Sequence, residues 1–270
     1  MDDRSAIIEE IGFLSRSTNR VRILEVIDEF DGASRDDLRT ELAASRTTVT
    51  RNVEALLDRG WIRQENREYR VEPGVELVIE RFRDLEETVE TVQRLQPFLQ
   101  WTTRETFDVD LSLLRDASLT VAEPGNPWAM VNEHVSGLRE SSVDRILLPL
   151  TGLHAMEAAH QKIVNGDARA EFVVTKGVVE TLFEDPDFAP LTTEMVETGR
   201  FEVYQTDEPV PFYLGVLDDT VQVGVDEEGE PRALLETTDP AVLEWASECL
   251  DSYQRGAVAV EADPVSESSE

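Results

Sequence analysis

Apolar positions recur with a helical period over the first sixty residues and shift to a strand-and-helix rhythm after residue 118. Apolar residues at 6, 7, 8, 11 and 14 predict a short helix over Ser5–Leu14. Ser17 or Thr18 caps a second helix. Its broad face of Val21, Ile23, Leu24, Ile27 and Phe30 ends at Asp31-Gly32. Ser34 is an N-cap with Asp36 and Asp37 in the first turn, where carboxylates suit the helix dipole. The short helix it opens carries Leu38 and Leu42, and Ala43-Ala44 form a tight turn. Ser45 caps the next helix, which buries Val49, Val53, Leu56 and Leu57 and stops at Gly60. Trp61-Ile62-Arg63, a turn over 64–68, and Tyr69-Arg70-Val71 read as strand, turn, strand.

From Val75, apolar residues fall at 75, 78, 82, 85, 89, 92 and 99, with Gln96 at the one polar position of the series. Alternating steps of three and four make a heptad seam about three heptads long. Val78, Phe82, Leu85, Val89 and Val92 are therefore candidates for a two-helix dimer contact. Leu77, Ile79 and Leu95 widen the stripe, which leaves packing on the parent domain open. Pro97 and Thr102-Thr103-Arg104 mark the boundary that follows.

Beyond it the pattern alternates. Strands are predicted over Ser118–Ala122, Arg145–Leu150, Ala170–Thr175 and Phe201–Gln205. Helices are predicted over Trp128–Leu138, Leu153–Val164, Val178–Phe183 and Leu191–Glu197. Phe212–Leu217, Val221–Val225 and Arg232–Glu236 form a meander, with turns at Asp218-Asp219 and Asp226-Glu227-Glu228-Gly229. A last helix runs from Pro240 to Arg255. Strand-helix alternation followed by hairpins implies an α/β fold with a mixed sheet. The organisation is a winged helix-turn-helix at 1–72, a connector helix at 73–103, an α/β effector domain at 104–260 and a polar, disordered tail at 261–270.

Charge changes this picture. The 270 residues carry 25 Lys+Arg and 57 Asp+Glu, a formal net charge of −32, and only Lys162 and Lys176 are lysines. Hydrophobic residues at 40% exclude the composition of a disordered chain. Bulk attraction to nucleic acid or anionic membrane is excluded by the sign of the charge. One cysteine, Cys249, excludes a disulfide scaffold. No apolar run of about 18 residues is present, and the N-terminus lacks the basic-then-apolar order of a secretory signal, so a cytoplasmic protein is expected. Acidity with almost no lysine predicts adaptation to molar salt, where the Debye length is about 3 Å. The alternative is an acidic protein of a GC-rich genome in which arginine displaces lysine. The excess is uneven: residues 1–70 hold 12 arginines against 15 acids, whereas 71–270 hold 13 basic against 42 acidic residues.

The window from Leu42 to Val53 contains Arg46 and Arg51 and no acid. Arg46, Thr47, Thr50 and Arg51, with Thr48 beside them, lie opposite the apolar face of that helix. In a helix-turn-helix this is where base edges are read: arginine grips guanine bidentately and threonine offers a hydroxyl or a methyl. Ser45 and the hairpin arginines Arg63, Arg67 and Arg70 are candidates for phosphate contacts. The stretch Ala44–Leu56 followed by Arg59-Gly60-Trp61-Ile62 resembles archaeal winged helix-turn-helix regulators. Pro211–Asp219, Gly229–Glu236 and Trp245 carry a second resemblance. They are similar to the effector domain of archaeal regulators named for a methanogen regulator of cell morphology and methanogenesis. Together the two imply a homodimeric transcription regulator of promoter DNA, with a second domain that senses a small molecule or protein. Neither implies a cofactor, a metal or a chemistry.

Several motifs tempt an enzyme reading. His160-Gln161-Lys162 with Asp167 fits H-x-K-x4-D, the phospholipase D signature, in which histidine attacks phosphorus and lysine binds phosphate oxygen. The usual Gly-Ser-x-Asn continuation is replaced by Ala168-Arg169-Ala170-Glu171, and no second copy exists. A phosphodiesterase centred on His160 is thus one alternative function. A degenerate phosphodiesterase-like fold reused as a sensor is another reading of the domain. A third function is a protein-binding adaptor that touches no DNA. His154 and His160 are six apart, which suits no helical metal pair. Cys249 reads as a small buried residue, and the acidic hairpin turns read as solvated. Trp128, Trp245, Phe212 and Tyr213 fit either a pocket or a core.

Overall fold

A computed structural model describes residues 3–260, and the tail at 261–270 lies outside the described residues. The chain divides into two units between Thr88 and Val89, inside one helix.

The first unit begins with α1 (Asp3–Ser15), α2 (Thr18–Glu29), α3 (Arg35–Glu41) and α4 (Arg46–Asp58). The hairpin of β1 (Ile62–Glu65) and β2 (Glu68–Val71) follows, then the first half of α5 (Val75–Leu99). Ile23, Leu24, Ile27, Leu38, Val53, Leu56, Ile62 and Tyr69 form its core. Each such side chain contributes about 1.5–3 kcal/mol on burial. Ser34 and Asp37 close a reciprocal capping box on α3, and the Ser45 hydroxyl accepts from the Thr48 amide to start α4. This is the predicted winged helix-turn-helix.

The second unit is built on an eight-stranded mixed sheet. In chain order it contains β3 (Ser118–Val121), α6 (Ala129–Glu140), β4 (Val143–Leu148), α7 (Leu153–Val164) and β5 (Arg169–Thr175). Next come α8 (Lys176–Glu184), α9 (Ala189–Glu197), β6 (Phe201–Thr206), β7 (Tyr213–Leu217) and β8 (Thr220–Glu227). β9 (Glu230–Thr237), α10 (Pro240–Gly256) and β10 (Val258–Ala259) end it. The strand order is β10-β6-β5-β4-β7-β8-β9-β3, with β4, β5 and β6 parallel and every other pairing antiparallel. The apolar run of β4 is needed on both faces. Ile146 and Leu148 pack towards one cluster with Phe172, Val174 and Val203, and Leu147 packs into the other with Val173, Leu214 and Val223. No helix among the described residues is long and apolar enough to cross a membrane.

Five local expectations need correction. The hairpin turn is two residues, Asn66-Arg67, not five: both have positive φ (48° and 75°), the turn that matches strand twist. Ser17 sits at the N-cap of α2, but its hydroxyl donates to Asn52 Oδ1 (3.4 Å) rather than capping. Asn52, not Leu57, completes the buried face of α4, its amide satisfied by Thr48 O at 2.9 Å, while Leu57 is half-buried. β4 stops at Leu148, before Pro149 removes a ladder donor. Asp218 is not merely solvated: at φ 51° its carboxylate accepts from the Ser142 and Val143 amides at 2.9–3.2 Å and ties the β7–β8 turn to the start of β4.

α5 divides the expected seam. Val75 and Ile79 are buried in the first unit and Phe82 packs against the same cluster. Leu95 and Phe98 are buried in the second, which carries the helix past Pro97 to Leu99. Between these anchors Val78 (37%), Leu85 (52%), Val89 (45%) and Val92 (39%) remain exposed.

Candidate nucleic-acid interface

α4 presents its surface because Val49, Asn52, Val53 and Leu56 are buried together on one side. Arg46, Thr47 and Arg51 are exposed on the other, with Thr50 half-buried beside them. The turn before α4 places Ala43 at φ 48°, the sharp reversal that lets α3 and α4 cross. Ala33 and Tyr69 exchange backbone hydrogen bonds at 3.1 and 2.8 Å, which fastens the start of α3 to the hairpin. Arg35 Nε donates to the Tyr69 hydroxyl at 2.7 Å.

This junction creates a polar concavity of about 460 Å³. Arg35 and Arg39 of α3, Arg46 and Thr50 of α4, and Arg67 at the hairpin tip line it. Asp36 is its acid and pairs with Arg39 at 3.4 Å. The sequence reading missed Arg35 and Arg39. Their signal is an i,i+4 pair of arginines on the solvent side of a helix whose buried residue is Leu38.

The predicted residues do not all converge here. Arg51 belongs to a second basic group: burial first, then the guanidiniums of Arg59, Arg51 and Arg16, press the Arg20 pKa below its ordinary value. Arg20 and Arg59 both stack on the Phe13 ring, at 4.1 and 4.2 Å, and Arg59 pairs with Glu10. The Thr48 hydroxyl is held by Ser45 Oγ at 2.9 Å, and its carbonyl by Asn52. Arg63 and Arg70 oppose each other across the hairpin, away from the concavity. Arg63 pairs with Glu65 (2.8 Å) and Glu72 (3.6 Å) and donates to Val71 O. Arg70 pairs with Asp31 (2.7 Å) and Glu65 (3.7 Å). The hydrogen bond from Arg63 holds the Glu65 carboxyl below the usual range.

In the second unit the H-x-K-x4-D residues separate. His160 Nε2 is 2.7 Å from Glu194 of α9. Lys162 turns inward to pair with buried Asp144 and donates to Ser141 Oγ at 2.8 Å, while Asp144 accepts from Ser141 at 2.6 Å. Asp167 is exposed. Burial raises the Asp144 pKa against the pull of Lys162. The motif's lysine is thus the cation of a buried ion pair. Cys249 is half-buried against the core and burial raises its thiol pKa. Among the described residues no three His, Cys, Asp or Glu side chains group as a metal site requires.

Comparison with known proteins gives a family model for each unit. Residues 127–256 match the middle domain of methanogenesis regulatory protein FilR1. Residues 8–94 match the HVO_A0261 N-terminal domain. No curated protein matches the chain. Solved structures that resemble it include TrmBL2, an archaeal chromatin protein described as showing a novel mode of DNA binding. That match has 14% identity and a TM-score of 0.42, over 90% of this chain and 94% of that one. Nuc, a phospholipase D family member from Salmonella typhimurium, matches at 13% identity and a TM-score of 0.43, over 54% and 99%. NucT from Helicobacter pylori matches at 14% and 0.40, over 53% and 98%. By these family models, the second unit carries a FilR1-like middle domain and the first an HVO_A0261-like N-terminal domain.

Proposed function

We propose that the chain is a homodimeric, cytoplasmic regulator that reads double-stranded promoter DNA with α4 and senses an effector in its second unit. The observation that carries the reading is the concavity between α3, α4 and the hairpin, where Arg35, Arg39, Arg46 and Arg67 face one carboxylate, Asp36, inside a chain of net charge −32. Arg46, Thr47, Thr50 and Arg51 meet base edges. Arg35, Arg39 and Arg67 hold phosphates on either side. Ser45 and Thr48 shape the start of the helix. Arg63 and Arg70, already bonded to carboxylates, chiefly hold the hairpin in place. The open segment of α5, with Val78, Leu85, Val89 and Val92 facing solvent, supports pairing with a second copy to give two half-sites. Phe82 contributes at the edge of that seam.

The acidity of the rest of the chain fits a molar-salt interior. Specific DNA binding should weaken below about 0.5 M salt, opposite to the usual counterion-release slope. An ordinary decline from dilute buffer upward overturns the salt adaptation. The deciding experiment is promoter binding by the Arg46→Ala/Arg51→Ala variant in matched molar KCl. Each bidentate arginine–guanine contact discriminates by about 1–3 kcal/mol, so a loss on the order of 100-fold is expected. Wild-type affinity would sink the assignment of α4. Leu85→Glu/Val89→Glu should sediment as a monomer, and an unchanged dimer would remove α5 from the interface.

A further inference from the structure

The second unit contains a cavity of about 370 Å³ between the C-terminal end of β4, the start of α7, α6 and the β8–β9 hairpin. Its inner wall is apolar and buried, with Met130, Leu138, Ile146, Met156 and Phe172 among its residues. Trp128, 63% exposed, stands at the rim. An apolar pocket wall left open to solvent forfeits burial unless something covers it.

One polar node interrupts the wall, and glycines make room for it. His134 and Tyr213 line the cavity with their rings edge to face, 4.7 Å apart. Both turn to Gln222: His134 Nδ1 lies 2.8 Å from its Oε1, and the Tyr213 hydroxyl donates to the same oxygen at 3.3 Å. The Gln222 Nε2 donates to Glu236 at 2.8 Å, which sets the amide so that Nδ1 carries the His134 proton. Nε2 of His134 is then an acceptor. A Cβ on Gly215 would lie 2.2 Å from the Tyr213 hydroxyl, and one on Gly137 would lie 2.8 Å from Gln222 Nε2. A Cβ on Gly224 would meet the Tyr213 ring at 3.2 Å. Burial keeps Tyr213 protonated and presses His134 towards its neutral form. The carboxylate of the wall, Asp226, is occupied by the Gly229 amide at 2.9 Å.

We propose that this cavity is the effector site of the regulator, and that its ligand is an uncharged, mainly apolar ring compound with one hydroxyl or N–H that donates to His134. The proposal rests on the effector-sensing reading for its biological role, but not for the binding itself. A cavity of about 150 Å³ holds benzene, so this volume suits roughly two rings. Among the described residues that line the pocket there is no lysine or arginine, and His154 lies 71% exposed at the rim beside Glu157, so a charge on the inner wall would lose its hydration without a partner.

The test uses the full-length protein in molar KCl with three probes: 2-naphthol, 2-methoxynaphthalene and 2-naphthoate. 2-Naphthol should bind one per chain and raise the Tm. The methyl ether, which cannot donate, should bind several-fold more weakly, and the carboxylate at least tenfold more weakly. Ala155→Phe, at a half-buried lining position, should fill the space and abolish naphthol binding while keeping the fold by circular dichroism. Val131→Trp serves as the second blocking variant if Ala155→Phe fails to fold. Absent naphthol binding, equal or tighter naphthoate binding, or undiminished binding by a folded blocking variant overturns the proposal. Equal binding of the ether overturns the role of His134. Naphthol binding in the cavity with no change in promoter affinity keeps the site and sinks the effector-sensing reading alone.

Discussion

The two concavities of this protein treat charge in opposite ways. That of the first unit collects Arg35, Arg39, Arg46 and Arg67 at an open surface, where guanidiniums stay hydrated and available. That of the second is walled by hydrocarbon and neutral polar groups, and the nearby Lys162 is spent inward on Asp144. The difference follows from solvation. A surface that meets polyanions gains from exposed cations, whereas a pocket walled by hydrocarbon admits few unpaired charges. The first unit gathers exposed arginines at one concavity, and the second surrounds its pocket with neutral side chains.

The largest test of this contrast is Asp144→Ala. It leaves Lys162, with 11% of its side chain exposed, uncompensated, and should cost about 3–5 kcal/mol in chemical unfolding. Asp144→Leu/Lys162→Met should recover most of that loss, and a mild effect of the single variant would mean the pair is not truly desolvated. Next, Gly215→Ala forces the Tyr213 hydroxyl out of its place and should destabilise by about 1–3 kcal/mol, measured by thermal denaturation. On the open side, Arg35→Ala/Arg39→Ala should cost about 1 kcal/mol of stability, through the lost bond from Arg35 to the Tyr69 hydroxyl, and weaken promoter binding about tenfold by removing two phosphate partners. Arg63→Ala should move DNA affinity less than that and stability by about 0–1 kcal/mol, since its ion pairs are exposed. A loss equal to that of Arg46 would restore it to the contact surface.

The smallest effect concerns pH. The folded pKa of His134 lies below its ordinary value near 6.5, so the unfolded chain takes the proton first. Stability from this group is complete above about pH 6.5 and is lost as pH falls towards the folded value. Unfolding curves at pH 7 and pH 5 should diverge less in His134→Leu than in the wild type.

Much of the fold was legible as pattern. The caps at Ser34 and Ser45, the stop at Gly60 and the alternation after Ser118 rest on local rules, and all appear at those places. The two-residue hairpin turn was not legible, because positive φ at Asn66 and Arg67 has no glycine to announce it. Aromatic residues were ambiguous for a different reason. Phe212 and Trp245 pack with Phe107 inside the core, while Trp128 and Tyr213 line the cavity, and hydrophobicity alone separates neither pair.

By itself the sequence determined the helix-turn-helix, the mixed α/β order and the acid-free start of α4, since each depends on neighbours within a few turns of chain. Tertiary structure alone decided which arginines share a surface. Arg63 and Arg70 meet carboxylates of the hairpin and the end of α2, whereas Arg35, Arg39 and Arg67 line one concavity beside the junction made by Ala33 and Tyr69. It also decided that Lys162 of an apparent catalytic motif belongs to the core, because Asp144 lies on a strand 18 residues away whose inward side the motif could not reveal.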